Sequence, residues 1–344
     1  MNNNVKVAIL DTGIYRYHDY LKDSKISGIS YECIHNYIFE TDNYVDDNSH
    51  GTACASIIKK EYNNVEIISV KVLNKFGDSN LDIIEEGLHF ILDSDIRIVL
   101  MNISVNDRKS IKRLNDICWK LYENGKIIIC PTDNTKNDSF PALFSNVIGV
   151  KGCILNEEDI FWYNEKARVQ CIIDFSPRMV CNIDNTYNLS DCSNSYAAAR
   201  LTGVIAKILS DDPMLSFKSL NKKLEIMAKR NRWLNKDLKE VHRYPDFKVG
   251  IYSIDNQLFL DVVDIIKEFL KIPKKDNFIY ECSLFNKYIG LNRMNSYCLL
   301  RRLEEYFGIN FNFMSIKRHD LVSIYSVTEL VERHLKVKQS HWRI

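Results

Sequence analysis

The chain has 344 residues, 46% hydrophobic and 26% charged; this fits two domains of ordinary size with buried cores and excludes global disorder. Its 46 Lys and Arg balance 45 Asp and Glu to a formal net charge of +1, so charge argues for neither nucleic acid nor a membrane surface as a partner. Glycine is scarce, 12 in all, against roughly 7% in an average protein.

Residues 1–4 run straight into an apolar stretch, with no basic start, long hydrophobic run or small-residue cleavage site. No signal peptide is therefore expected, and the expected location is cytoplasmic. No uncharged run approaches the roughly 18 apolar residues of a membrane span. The ten cysteines are scattered, none in a Cys-x-x-Cys pair. They are expected as thiols packed in the core of a protein in a reducing compartment, with no metal site and no cofactor.

In chain order, apolar strands are expected over residues 5–10, 65–73, 96–103, 126–130 and 146–150, with helical patterns around 82–92 and 111–122. Continuous apolar runs alternating with helices indicate an α/β fold, a doubly wound parallel sheet with helices on both faces. Ligand sites in such a sheet lie at the carboxyl ends of strands. Residues 195–209, rich in alanine and aliphatics, read as a buried helix. The pattern fades over 231–256 and then turns purely helical, with amphipathic segments at 258–270, 295–307 (stopped by Gly308) and 327–335. The expected division is a domain over 1–232, a linker or packed extension over 233–256, and a small all-α bundle over 257–340.

Three short motifs stand at the ends of these elements: Asp11-Thr12-Gly13, His50-Gly51-Thr52 and Ser193-Asn194-Ser195-Tyr196-Ala197. Each has an ordinary reading. Asp-Thr-Gly after a strand is often a turn, serine often caps a helix, and Asn134 in a polar loop is often a turn residue. Together, and in this order, they resemble the subtilisin-like serine peptidases (subtilases), whose signatures are Asp-(Thr/Ser)-Gly, His-Gly-Thr and Gly-Thr-Ser-Met-Ala. The segments 70–79, 101–104, 127–134 and 140–150 resemble the family between the motifs, so the likeness covers about 1–230. It implies a Ser195 nucleophile, His50 as base and acid, Asp11 as its orienter, and an oxyanion held by Asn134 with the backbone N–H of Ser195.

The chain departs from the family around the implied cleft. Ser193 replaces a glycine, Pro131-Thr132-Asp133 replaces Ala-Ala-Gly, and Val105-Asn106-Asp107 replaces Leu-Gly-Gly after Ser104. Ser104, Pro131, Thr132 and Asp133 are thus the expected substrate-binding residues, with altered specificity. With ten residues before Asp11 no propeptide is expected, which resembles the intracellular or peptide-processing branch of the family.

Residues 258–335 resemble acyl and peptidyl carrier proteins through Ser283-Leu284-Phe285 and Leu303-Glu304-Glu305-Tyr306-Phe307-Gly308-Ile309. The serine that carries phosphopantetheine in that family is replaced by Arg293, so a degenerate carrier fold used for protein contact is expected; attachment at Ser296 would break the register. The resulting expectation is a serine endopeptidase that cleaves one peptide, such as the leader of a ribosomally made, modified peptide. The bundle would meet a biosynthetic enzyme. Two alternatives stand beside it: an inactive subtilase that binds a peptide or enzyme, and a carrier-linked component of acyl or nonribosomal peptide synthesis.

Overall fold

The computed structural model describes residues 5–135, 139–155, 161–240 and 256–341. Contacts divide the chain into two compact units: Met1–Phe175 with Cys181–Thr186 and Cys192–His242, and Ser176–Val180 with Tyr187–Asp191 and Arg243–Ile344. Most of the expected 233–256 linker, residues 241–255, lies outside the described residues.

The first unit is built on β1 (Val5–Asp11), β2 (Lys25–Ile34), β3 (Tyr37–Thr41), α1 (His50–Glu61), β4 (Val65–Lys71), α2 (Leu81–Leu92), β5 (Ile98–Met101), α3 (Arg108–Glu123), β6 (Ile127–Pro131), β7 (Ile148–Cys153), β8 (Phe161–Tyr163) and β9 (Cys171–Asp174). Two short strands, β10 (Met179–Cys181) and β11 (Tyr187–Leu189), form a hairpin, and α4 (Asn194–Asp211), α5 (Phe217–Met227) and α6 (Asn235–Glu240) follow.

The main sheet has nine strands in the order β3-β2-β4-β1-β5-β6-β7-β9-β8. Its interior pairs are parallel; β3 and β8 close the two edges antiparallel. The expected α/β class and parallel sheet are therefore present. Val7, Ala8, Ile9 and Leu10 of β1 are all buried, as a strand covered on both faces requires. The strand order reverses at β1, which has β4 on one side and β5 on the other. Asp11 ends this strand, at the crevice where open α/β sheets bind ligands.

Helix starts follow capping chemistry. Asn80 Oδ1 accepts from Ile83 N at 2.9 Å to open α2, and Asp107 Oδ1 accepts from Ser110 N at 2.9 Å to open α3. In α4, Ala197, Ala198, Ala199, Leu201, Ile205 and Ala206 are buried, and the helix packs along α1. The third expected strand is shorter than its apolar run: β5 covers Ile98–Met101, and just beyond it Asn102 N donates to Leu10 O at 3.3 Å while its side chain donates to Asp11 Oδ2.

In the second unit, α7 (Gln257–Phe269), α8 (Ser296–Phe307) and α9 (Ile324–His341) enclose one core containing Val262, Ile266, Leu299, Leu303, Val327 and Val331. Gly308 stops α8 with φ +59°, as its position in the sequence implies. Met179 and Leu189, from the β10–β11 hairpin, are buried in the same core. Met179 N donates to Ile316 O at 2.9 Å and Arg318 N to Pro177 O at 2.9 Å. The units are thus not consecutive in the chain: a strand pair that precedes α4 belongs with the helices.

Candidate active site

Asp11 is 1% exposed. The turn after it needs Gly13, whose φ is +111° and whose added Cβ would lie 2.6 Å from Tyr44 O. Gly51 lets the first turn of α1 sit directly on that turn, since a Cβ there would lie 2.1 Å from Gly13 O. The buried Asp46 ties the two together. Its Oδ1 accepts from Thr12 Oγ1 (2.9 Å), Asn48 N (2.9 Å) and Ser49 N (3.0 Å), and its Oδ2 from Thr52 N (3.0 Å) and Thr52 Oγ1 (2.6 Å).

This seating brings His50 Nδ1 to 2.8 Å from both carboxylate oxygens of Asp11. Thr12 N donates to Asp11 Oδ1 at 2.7 Å, and Asn102 Nδ2 donates to Oδ2 at 2.7 Å. Burial alone would push the Asp11 carboxyl up. The charge of His50 and the hydrogen bonds from His50, Asn102 and Thr12 outweigh it and hold the carboxyl below its ordinary range. Asn102 Nδ2 also lies 3.4 Å from Cys54 Sγ, while Asn102 Oδ1 is buried without a partner. The reverse amide orientation would aim that oxygen at a carboxylate, so the orphaned carbonyl is the lesser cost.

Asp11, His50 and Cys54 are the one group among the described residues whose potential metal-ligating atoms come within 4.8 Å. Burial, then the charge of Asp11, raises the Cys54 thiol well above its ordinary pKa. With Asp11 already accepting from three residues, the group is better suited to holding a proton than a cation.

Ser195 stands in the first turn of α4. Ser193 caps that helix, its Oγ accepting from Ser195 N at 3.3 Å. The adjacent Tyr196 stacks on His50, with ring centroids 5.6 Å apart, so the start of α4 and the start of α1 meet at the imidazole. Asn194 is buried and pins the same turn to the strand ends. Its Nδ2 donates to Thr132 O (3.0 Å), Thr132 Oγ1 (3.1 Å) and Asp133 O (3.3 Å), and its Oδ1 accepts from Gly152 N (2.8 Å). Its backbone N–H donates to Asn134 Oδ1 at 2.9 Å. That bond uses the carbonyl end of the Asn134 side chain and leaves its NH₂ as the donor beside the helix start.

Of the expected substrate-binding residues, Ser104 is exposed, with Oγ 3.3 Å from Ser139 Oγ. Pro131 and Thr132 are buried, and Asp133 turns its carboxylate into its own loop, accepting from Thr135 N at 2.7 Å and Thr135 Oγ1 at 2.8 Å. In the second unit, Arg293 precedes α8, and Ser296 opens it with a buried hydroxyl that donates to Asn292 O at 2.6 Å. The motif and segment residues Asn102, Asn194 and Tyr196 carry no role in the sequence reading, and Asp46 lies outside its motifs. Asp46, four residues before a histidine that opens a helix, could have been found as a cap-like carboxylate. Asn194 carries no local signal, because its partners are remote in sequence.

The Subtilase family model matches residues 2–250. The chain belongs to the subtilase family of serine peptidases. Among curated relatives, this subtilase is 29% identical to the minor extracellular protease Epr of Bacillus subtilis over 43% of the chain, a match that spans only 23% of Epr. It is 25% identical to subtilisin DY of Bacillus licheniformis over 65% of the chain and 84% of subtilisin DY. The major intracellular serine protease of Bacillus subtilis is 24% identical over 60% of the chain and 69% of its own length. A cold-adapted subtilisin-like serine proteinase of known structure shares the fold with a TM-score of 0.56, at 18% identity, over 69% of this chain and 88% of that one.

Proposed function

We propose that this subtilase is a serine endopeptidase in which Ser195 attacks the scissile carbonyl of a peptide. His50 takes the Ser195 proton at Nε2 and later gives it to the leaving amine. Asp11 holds the imidazole by Nδ1 and stabilises the imidazolium. Asn134 and the N–H of Ser195, which turns from its long 3.3 Å bond to Ser193 Oγ, receive the oxyanion; losing one such donor costs about 10²–10³ in turnover. The observation that carries this reading is the buried Asp11 carboxylate at 2.8 Å from His50 Nδ1, with Asn102 and Thr12 completing its shell.

The substrate is a single precursor peptide from which a leader is removed, within a reducing cytoplasm. Supporting the compartment, Cys54, Cys118, Cys130, Cys153, Cys171 and Cys181 are buried as thiols and not as disulfides. Among the described residues, no helix is long and apolar enough to cross a membrane. The helical unit serves as a protein-contact module of degenerate carrier type. In support of that, Arg293 occupies the position of the modified serine, and the nearby Ser296 hydroxyl is buried and engaged. A fluorophosphonate probe tests the mechanism. It labels Ser195 in the wild type and not in Ser195→Ala; folded wild-type protein that takes no label would sink it.

A further inference from the structure

Arg293 lies just before α8 in the helical unit. Its guanidinium is half exposed, yet it grips two acceptors on one stretch of chain. Nε donates to Leu189 O at 3.0 Å and Nη1 donates to Asp191 Oδ2 at 2.8 Å. All three residues belong to the second unit. The Leu189 side chain is buried in that unit's core, 1% exposed. Ser190 N donates to Arg178 O at 2.8 Å across the hairpin, and Arg178 N donates to Ser190 Oγ at 3.1 Å.

The chain continues from Asp191 through Cys192, Ser193 and Asn194 to Ser195. The far side of this stretch is pinned by the Asn194 bonds to Thr132, Asp133 and Gly152. Its near side is pinned by Arg293. We propose that Arg293, together with Asp191, is a positioning residue for the peptidase reaction: it fixes the segment that delivers Ser195 to α4, and so makes the helical unit a determinant of turnover. The effect passes along the backbone of residues 189–195.

Stability is a poor explanation for the pair. Half-exposed ion pairs contribute about 0–1 kcal/mol, and a stabilising role needs no fork. A guanidinium bonding a carbonyl and a carboxylate two residues apart fixes the direction of the strand, which a single ammonium contact does not. Catalysis is sensitive on that scale, since a displacement of about 1 Å at a nucleophile can cost 10²-fold.

The inference rests on Ser195 being the nucleophile, and the test keeps the two apart. The rate of fluorophosphonate phosphonylation, in which the serine oxygen bonds phosphorus and fluoride leaves, is measured at saturating probe, with its half-saturation concentration, for the wild type, Arg293→Ala, Arg293→Lys, Asp191→Ala and the Arg293→Ala/Asp191→Ala double variant. Thermal midpoints are recorded for each. The expected result is about a tenfold loss of phosphonylation rate in Arg293→Ala with unchanged half-saturation and an almost unchanged midpoint. Arg293→Lys should fall between, and the double variant should be no slower than Arg293→Ala. A phosphonylation rate equal to wild type in Arg293→Ala, a loss that tracks unfolding across the variants, or additive losses in the double variant would each overturn the proposal. An unlabelled wild type would instead remove the mechanism itself.

Discussion

Asp11 is where burial and hydrogen bonding oppose each other most directly. Its carboxyl is enclosed, yet His50, Asn102 and Thr12 keep it ionised below its ordinary range. A carboxyl depressed on folding lends stability that is present above its unfolded pKa of about 3.9 and lost as pH falls through the lower folded value. Replacing Asn102 by Leu removes one donor at nearly constant volume. Asp11 should then titrate higher, so acid unfolding should begin at higher pH and stability at pH 7 should fall by about 1.5–3 kcal/mol, the worth of a hydrogen bond to a charged group. Denaturant titrations at several pH values check this; an acid edge that does not move would contradict the assignment. At this scale the sequence carried the motif residues, because their chemistry needs fixed types after a strand and at helix starts. It did not carry Asn102 or Asn194 as supports. An asparagine's role depends on which remote groups its amide meets, and Thr132, Asp133 and Gly152 come to Asn194 only through the packing of α4 against β6 and β7.

Among elements, those legible in advance are the ones buried on all sides. Strands β1, β4 and β6 and helix α4 have continuous apolar or alanine-rich runs because every face meets protein. Strands β2 and β3 were missed because they reach the exposed edge, where Glu32, Cys33 and Ile34 interrupt any regular pattern. Strands β8, β10 and β11 have three residues each, too few to show a period. Helix α1 begins with the unpromising His50-Gly51-Thr52 because Asp46, a few residues upstream, accepts from its first amides in place of a side-chain cap at Ser49. The segment between β1 and β2 is held by a bond remote in sequence: His18, fully buried, donates from Nε2 to Thr186 O at 2.9 Å and accepts at Nδ1 from Tyr20 N at 3.1 Å. Both bonds need the neutral ring, and burial pushes the imidazole pKa down. Such a group lends stability that is complete above the unfolded pKa of about 6.5 and is lost as pH falls through the folded value. His18→Gln, which keeps a donor but cannot charge, should flatten the loss of stability on acidification below that pH. Equal slopes in variant and wild type, read from thermal midpoints, would refute this role.

For the whole molecule, the consequential feature is that the two units exchange chain. A linear reading places a peptidase first and a bundle second, and it treats the bundle as removable. The structure assigns Ser176–Val180 and Tyr187–Asp191 to the helical unit, with Met179 0% and Leu189 1% exposed in its core. This pairing was invisible in the sequence, because a three-residue strand buried by helices more than 60 residues later has no local signature. Ending the chain after His242 would strip the partners from both side chains and leave Met179 N without Ile316 O. Burying a side chain of this size stabilises by about 1.5–3 kcal/mol, and the hairpin carrying them leads into the capped start of α4. The shortened chain should therefore lose fluorophosphonate labelling at Ser195 and show a markedly lower thermal midpoint. Supplying the bundle, residues 243–344, as a separate chain should restore neither, because Tyr187–Asp191 must fold into it while still joined to Ser195. A truncated chain that labels at the wild-type rate would show that the peptidase unit positions its own nucleophile, and would make the exchange of strands an accident of packing rather than a condition of activity.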